Sequence, residues 1–425
     1  MFRKIIIIYT VILFIFPIAN PAVAQPPTEP VIEGTAVLVM DAENGQVLYG
    51  KEAKQKMYPA STTKIMTALV ALEKSSLDEM VEVSQQASSV DGSRVGLQPG
   101  EKLPMEHMLY MLLLTSANDS AEAIAEHLGG SVDGFAKMMN QRARELGARN
   151  TNFTNPHGLP DPDHYTTARD LALIGRAAMQ NETFRRIAGT VNIKLERKKY
   201  MSPEVLQSVE KLEQIHGPLQ EDFYTHNRLL TGGYYGYQGA NGIKTGYTVD
   251  AGQCIVASAR RAGRELIAVV LCSQGANLWS DVAALLDYGF QAFAPVELMT
   301  PRQMITDTPV KNGSEKAVLE TAGYFYYNFP VEGKPEITRR VELAENIEAP
   351  LEAGEHLGEL VLEAQGRELG RVNLVTVSAV PRSTTSYPWV WLLGGITILL
   401  ILSWFNVRRR RNRSRLTYPK RDYRR

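Results

Sequence analysis

The segment Tyr58-Pro59-Ala60-Ser61-Thr62-Thr63-Lys64 heads an apolar run, Ile65-Met66-Thr67-Ala68-Leu69-Val70-Ala71-Leu72, and constrains the chain more than any other stretch. Pro59 and Ser61 are helix-start residues, and the run behind them has helical period. Ser61 then lies near a helix N-terminus, with Lys64 one turn on and on the same face. A serine hydroxyl becomes a nucleophile when a base takes its proton. An amine serves as that base only when neutral, so Lys64 must be desolvated or set beside another cation. The helix terminus would also aim backbone N–H groups at an oxyanion forming at Ser61.

Ser-x-x-Lys recurs at Ser208-Val209-Glu210-Lys211, in a charged stretch that reads as solvated helix surface. Two further motifs separate the copies. Ser116-Ala117-Asn118 falls in a break between two helical patterns, Met105–Leu114 and Asp119–Leu128, where side chains can project into a cleft. Lys244-Thr245-Gly246 ends a strand-like run. Only the first copy is followed by both in order. Taken singly, Ser116 and Asn118 could also cap the helix from Asp119, and Gly246 could be a turn glycine.

The rest of the chain supplies a frame for these motifs. Gly34–Met40 and Gln46–Tyr49 alternate like strands around Asn44-Gly45, a type I′ hairpin signal. Val81-Glu82-Val83 is a further short strand. Helical patterns continue through Phe135–Leu146, Ala168–Met179 and Thr183–Ala188. Thr190–Leu195 is strand-like, and Lys198–Asp222 is a charged, partly helical surface insertion. Strands follow at Gly242–Thr245, Gly252–Ala259 and Leu266–Leu271, then a helix at Trp279–Ala292. Strands at both ends enclosing helices predict one α/β domain over 30–293, its sheet built from both ends of the segment. Residues 294–380 carry short alternating runs between Gly and Pro, which predicts a small all-β domain. It holds no catalytic cluster and would act as a spacer or docking module.

The termini speak to compartment. Residues 1–24 read as a signal peptide: Arg3 and Lys4, the apolar Ile5–Ile18, and an A-x-A site at Ala22-Val23-Ala24. Trp389–Val407 has no charge, is flanked by Trp and is followed by four arginines, which predicts a transmembrane helix. The basic tail, 408–425, would lie in the cytoplasm beside anionic lipid, with the body outside. Apart from that tail and Arg3 and Lys4, the chain has 34 basic and 45 acidic residues, the wrong sign for a nucleic-acid-binding body. Cys254 and Cys272 fall on neighbouring strands. A disulfide is allowed outside the cell, with two buried free thiols as the default. No zinc-site spacing occurs, and no cofactor is expected.

The order Ser-x-x-Lys, Ser-x-Asn, Lys-Thr-Gly resembles the penicillin-recognising serine acyltransferases and β-lactamases. Thr154-Asn155-Pro156-His157-Gly158-Leu159, Ala168-Arg169-Asp170-Leu171-Ala172, His226-Asn227-Arg228 and Asn241–Thr248 narrow the resemblance. They are similar to low-molecular-mass penicillin-binding proteins, specifically serine-type D-alanyl-D-alanine carboxypeptidases, over roughly residues 30–380. The resemblance implies a β-lactamase-like domain, an antiparallel sheet with a helical subdomain, followed by the β-rich domain. It implies Ser61 as nucleophile, Lys64 as base and Ser116 as proton relay. Backbone N–H groups of Ser61 and Tyr247 would form the oxyanion hole, with Gly246 and Tyr247 on an edge strand. Asn118 would bind the substrate amide, and Lys244, Thr245 and Arg228 the terminal carboxylate. The implied partners are peptidoglycan stem peptides, with β-lactams as inhibitors. His157 is expected to stabilise its loop, Asp170 to anchor a helix or loop, and His226 to order the strand entry. A β-lactamase is disfavoured because no Glu-x-x-Leu-Asn segment lies between Ser116 and Lys244. A DD-endopeptidase would share the same fold, as would a non-catalytic β-lactam sensor or cell-wall scaffold. The long Lys198–Asp222 connection and the single transmembrane helix depart from the family pattern.

Overall fold

A computed structural model describes residues 28–383 and 387–414. The signal-peptide stretch and the last eleven residues of the tail lie outside the described residues. In chain order the body begins with β1 (Ala36–Asp41) and β2 (Val47–Lys51), and a 3-10 turn, Ala60–Thr63, leads into α1 (Lys64–Lys74). Then come β3 (Met80–Glu82), α2 (Gln85–Ser89), β4 (Lys102–Pro104), α3 (Met105–Leu114), α4 (Asn118–Gly129), α5 (Val132–Glu145), α6 (Ala168–Gln180) and α7 (Glu182–Ala188). β5 (Asn192–Lys194), α8 (Pro203–His216) and β6 (Asp222–Tyr224) precede β7 (Ala240–Thr248), β8 (Gly252–Arg261), β9 (Arg264–Ser273) and α9 (Asn277–Ala292).

The main sheet has strand order β2-β1-β9-β8-β7, antiparallel throughout. Its strands come from the two ends of the body, and β7 is left as an edge. β1, β8 and β9 are covered on both faces and read as continuous apolar runs, so the alternation expected over Gly34–Met40 is absent from β1, whereas the edge strand β2 is partly exposed. Leu38, Met40, Ile267, Val269 and Leu271 join the core on the helical side, while Val37, Val39, Ala268 and Val270 pack with Leu278, Val282, Leu285 and Leu286 of α9. Ile65, Met66, Ala68, Leu69, Val70 and Ala71 are all buried, so α1 is apolar around its whole circumference and runs through the centre of the helical layer. This places its N-terminus, and Ser61, between sheet and helices.

The β1–β2 turn differs from the type I′ expectation. Gly45 is left-handed (φ +76°) but Asn44 is not. The connection is a longer loop, with Gly45 N–H donating to Asp41 O at 3.0 Å. The Asp41 carboxylate drives this by accepting from the N–H groups of Glu43 and Asn44. It is buried because Tyr326 and Asn328 of the second domain also donate to it. The insertion contains α8, and Ser208 on it is exposed and bonds back to Glu204 O. Val209 is buried, so this helix has an apolar face that its charged sequence hid. Cys254 and Cys272 are free thiols, and Cys254 is buried.

The second domain comprises β10 (Phe293–Met299), β11 (Met304–Thr308), β12 (Ala317–Thr321), β13 (Phe325–Pro330), β14 (Ile337–Leu343), β15 (His356–Ala364) and β16 (Arg367–Thr376). A five-stranded sheet, β11-β12-β16-β15-β14, lies beside the β10–β13 ribbon. Its own core gathers Leu319, Leu357, Leu360, Leu362 and Leu374. Beyond it α10 (Pro388–Ser414) carries an unburied apolar stretch long enough to cross a membrane.

Candidate active site

Ser61 sits in the 3-10 turn before α1. Thr62 and Thr63 turn their hydroxyls back onto Pro59 O and Ala60 O, and Ser61 is not used as a cap. Its hydroxyl is 3.0 Å from Lys64 Nζ. That amine also donates to Asn118 Oδ1 at 2.6 Å and to His157 O at 2.8 Å. Lys64 is fully buried. Burial holds its pKa well below the ordinary lysine range, the Lys244 charge pushes the same way, and Asp119 opposes them. The hydrogen-bond geometry suits a neutral amine. Asn118 Oδ1 and His157 O can only accept, so they take both amine hydrogens and leave the lone pair facing the Ser61 O–H.

Ser116 lies in the α3–α4 junction with φ +64°, and Ala60 beside the nucleophile has φ +48°. Two non-glycine residues in the left-handed region at one cleft are strained conformations that the surrounding packing enforces. Neither Ser116 nor Asn118 caps α4, whose N-terminus has no side-chain cap. Asn118 instead gives its oxygen to Lys64, while its Nδ2 donates to Asp91 O at 2.6 Å and its backbone N–H to Ser93 O at 2.7 Å.

β7 forms the opposite wall. Lys244 is buried, donates to Thr245 O, and has its pKa pulled down to about 7 by desolvation. A Cβ on Gly246 would fall 2.8 Å from Ser61 N, so only glycine lets the edge strand approach the nucleophile this closely. Gly158 is required for a similar reason: with φ +90°, its Cβ would fall 1.8 Å from Ala60 O. Tyr247 follows on the exposed edge. Asn227 pins the start of β7 by donating to Gly242 O, and Arg228 lies over the Tyr235 ring. Ser61, Ser116, Arg228, Thr245, Gly246 and Tyr247 all line one open cleft of about 610 Å³, with Lys64, Asn118 and Lys244 buried behind its wall.

Several contributors were not visible in the motifs. Ser93, Thr225, Gln253 and Trp279 also line the cleft. The loop carrying Ser93 is clamped from two sides. Asp119 accepts from Val95 N and Leu97 N. Arg197, fully buried against Glu101, donates to Val95 O and Gly96 O. No local signal marks the Arg197–Glu101 pair, whose members are 96 residues apart. His157 accepts from Leu159 N–H, and its ring faces Glu122 at 3.6 Å, so it braces its loop. His164, a buried residue outside every motif, contacts Thr63 Oγ1 at 2.9 Å. Asp170 accepts from Asn150 N and Thr151 Oγ1, anchoring the same region.

A family model described as D-alanyl-D-alanine carboxypeptidase matches residues 22–275, and one described as Penicillin-binding protein 5, C-terminal domain, matches residues 293–382. The chain is 31% identical to the D-alanyl-D-alanine carboxypeptidase DacF of Bacillus subtilis over 347 residues, covering 79% of this chain and 83% of that one. The crystal structure of penicillin binding protein 5 from Haemophilus influenzae superposes with a TM-score of 0.67 at 27% identity, over 84% of this chain and all of that one. The Streptomyces K15 DD-transpeptidase superposes with a TM-score of 0.55 at 32% identity, over 62% of this chain and 99% of that one. With most of its length and both of its domains matched in this way, the chain belongs to the D-alanyl-D-alanine carboxypeptidase family of serine hydrolases.

Proposed function

We propose that the enzyme removes the terminal D-alanine from peptidoglycan stem pentapeptides through an acyl-enzyme on Ser61. The observation that carries this reading is the buried Lys64 amine, held by two obligate acceptors with its remaining valence toward Ser61 Oγ. Lys64 takes the Ser61 proton as the oxygen attacks the carbonyl between the two D-alanines. The oxyanion is met by the backbone N–H groups of Ser61 and Tyr247. Ser116 passes a proton to the departing amine, fed by Lys64 and Lys244. Asn118 keeps one Nδ2 hydrogen for the acyl-chain amide. Lys244, Thr245 and Arg228 receive the terminal carboxylate. Water, deprotonated by Lys64, then releases the shortened peptide. β-Lactams acylate the same serine and leave slowly. The helix α10 tethers the body on the outer side of the membrane, with the arginine-rich tail in the cytoplasm.

Incubating the detergent-solubilised full chain with a stem pentapeptide will release free D-alanine, detected by mass, and Ser61→Ala will abolish both this release and penicillin labelling. Release by Ser61→Ala at the parent rate would falsify the assignment. Release from cross-linked dimers in preference to pentapeptide would instead favour endopeptidase action.

The two lysines also set a pH profile. Activity requires Lys64 neutral, so it rises with pH through that group's depressed pKa. Carboxylate binding requires Lys244 charged, so it falls as pH rises through about 7. kcat/KM on a peptide acid should therefore be bell-shaped, with a falling limb deeper than that of the corresponding peptide amide, which has no carboxylate for Lys244 to bind. Matching profiles for acid and amide would remove Lys244 from carboxylate recognition.

A further inference from the structure

A second cavity lies at the far end of β7. It encloses about 500 Å³ and is lined by Lys56, Met57, Tyr58, Tyr165, Asp250 and Ala251, among others. Two chain segments connect it to the catalytic residues. Tyr58 precedes Ser61 by three residues, and Asp250 follows Tyr247 by three residues through the β7–β8 turn. Its two charged walls are of opposite sign. The Lys56 ammonium lies 3.9 Å from the centroid of the Tyr165 ring, which fixes it at the cavity wall. Asp250 is exposed at the turn. Among the described residues, neither charge forms an ion pair with another side chain.

The direction of the substrate follows from the roles given above, and the inference rests on that reading. The terminal carboxylate lies toward Lys244 and Thr245, and the scissile carbonyl lies between Ser61 N and Tyr247 N. The acyl chain therefore continues past Tyr247 toward Asp250, antiparallel to β7. An exposed edge strand accepts an extended peptide in this way, with side-chain pockets supplying selectivity. At about 3.3 Å per residue, the residue before the acyl D-alanine falls beside Thr248, two positions before Asp250 of the cavity wall.

We propose that this cavity binds the side-chain terminus of the stem peptide's diamino acid, and that it selects a zwitterionic terminus. Lys56 receives the carboxylate and Asp250 the ammonium. Meso-diaminopimelate carries both groups, lysine carries only the ammonium, and the carboxamide form of diaminopimelate lacks the negative charge.

The test compares four pentapeptides ending in D-Ala-D-Ala, whose third residue is meso-diaminopimelate, its side-chain carboxamide, its side-chain N-acetyl form or L-lysine, on the full-length enzyme in detergent. Exposed charge pairs of this kind shift selectivity by about two- to fivefold. The expected order of kcat/KM places the diaminopimelate peptide first by that margin. Lys56→Met should erase the preference over the carboxamide. Asp250→Asn should erase the preference over a peptide whose side-chain amine is acetylated. Because the readout is a ratio within each variant, partial loss of folded protein does not imitate the result. Equal kcat/KM for all peptides in the parent enzyme, or ratios unchanged in the variants, overturns the proposal while leaving the carboxypeptidase reading intact. Failure to release D-alanine from any of them overturns both.

Discussion

Lys64→Met will acylate with a fluorescent penicillin about 10³-fold more slowly than the parent enzyme, although Ser61 remains in place. Methionine matches the buried volume of lysine but cannot accept a proton. The substitution leaves Asn118 Oδ1 and His157 O without the donor each now has, at a stability cost of about 1–3 kcal/mol per group. Stopped-flow acylation read beside a thermal melt separates the two losses, because partial unfolding reduces amplitude and loss of the base reduces the rate constant. Lys64→Arg should be at least as slow, since a guanidinium keeps its proton at every working pH. A Lys64→Met enzyme that acylates within tenfold of the parent would place the general base elsewhere and undo the reading of this buried amine as the activator of Ser61.

The chemistry was legible where it is local and opaque where it is long-range. Ser61 and Lys64 share one turn, so spacing alone pairs a hydroxyl with an amine, whereas Thr245 and Gly246 take their expected roles from the family resemblance. The demand for a neutral Lys64 also followed from chemistry, and full burial and the nearness of Lys244 both push its pKa in that direction. What holds Lys64 could not be read in this way. His157 O reaches it from 93 positions away, and the oxygen of Asn118 turns to it rather than capping α4. The Asn44-Gly45 turn misled for the same reason. The local propensity is real, but Asp41 answers to Tyr326 and Asn328, nearly three hundred residues on. Strand type was read readily, but the alternation expected over Gly34–Met40 is absent from β1, whose six residues are all buried because both faces of the sheet are covered there.

Arg197→Met will lower stability by about 3–5 kcal/mol, because it strands the Glu101 carboxylate in a site from which water is excluded. In a domain of this size that corresponds to a fall in melting temperature of roughly 10 °C. Adding Glu101→Leu should recover the part of the loss that comes from the unpaired charge, since an apolar pair of similar volume carries none. Recovery of catalysis should not follow. Arg197 also donates to Val95 O and Gly96 O, and neither methionine nor leucine replaces those bonds. The loop they hold supplies Asp91 O and Ser93 O to Asn118, and Asn118 supplies the acceptor that orients Lys64. The double variant should therefore melt above Arg197→Met but below the parent, and acylate several-fold more slowly, with the deficit in the rate constant rather than in the amount of folded enzyme. Parent-like acylation in the double variant would show that Asp119, through Val95 N and Leu97 N, holds the loop unaided. A slow but folded double variant makes the residue at the entrance of the Lys198–Asp222 insertion a positioning residue for the nucleophile's base.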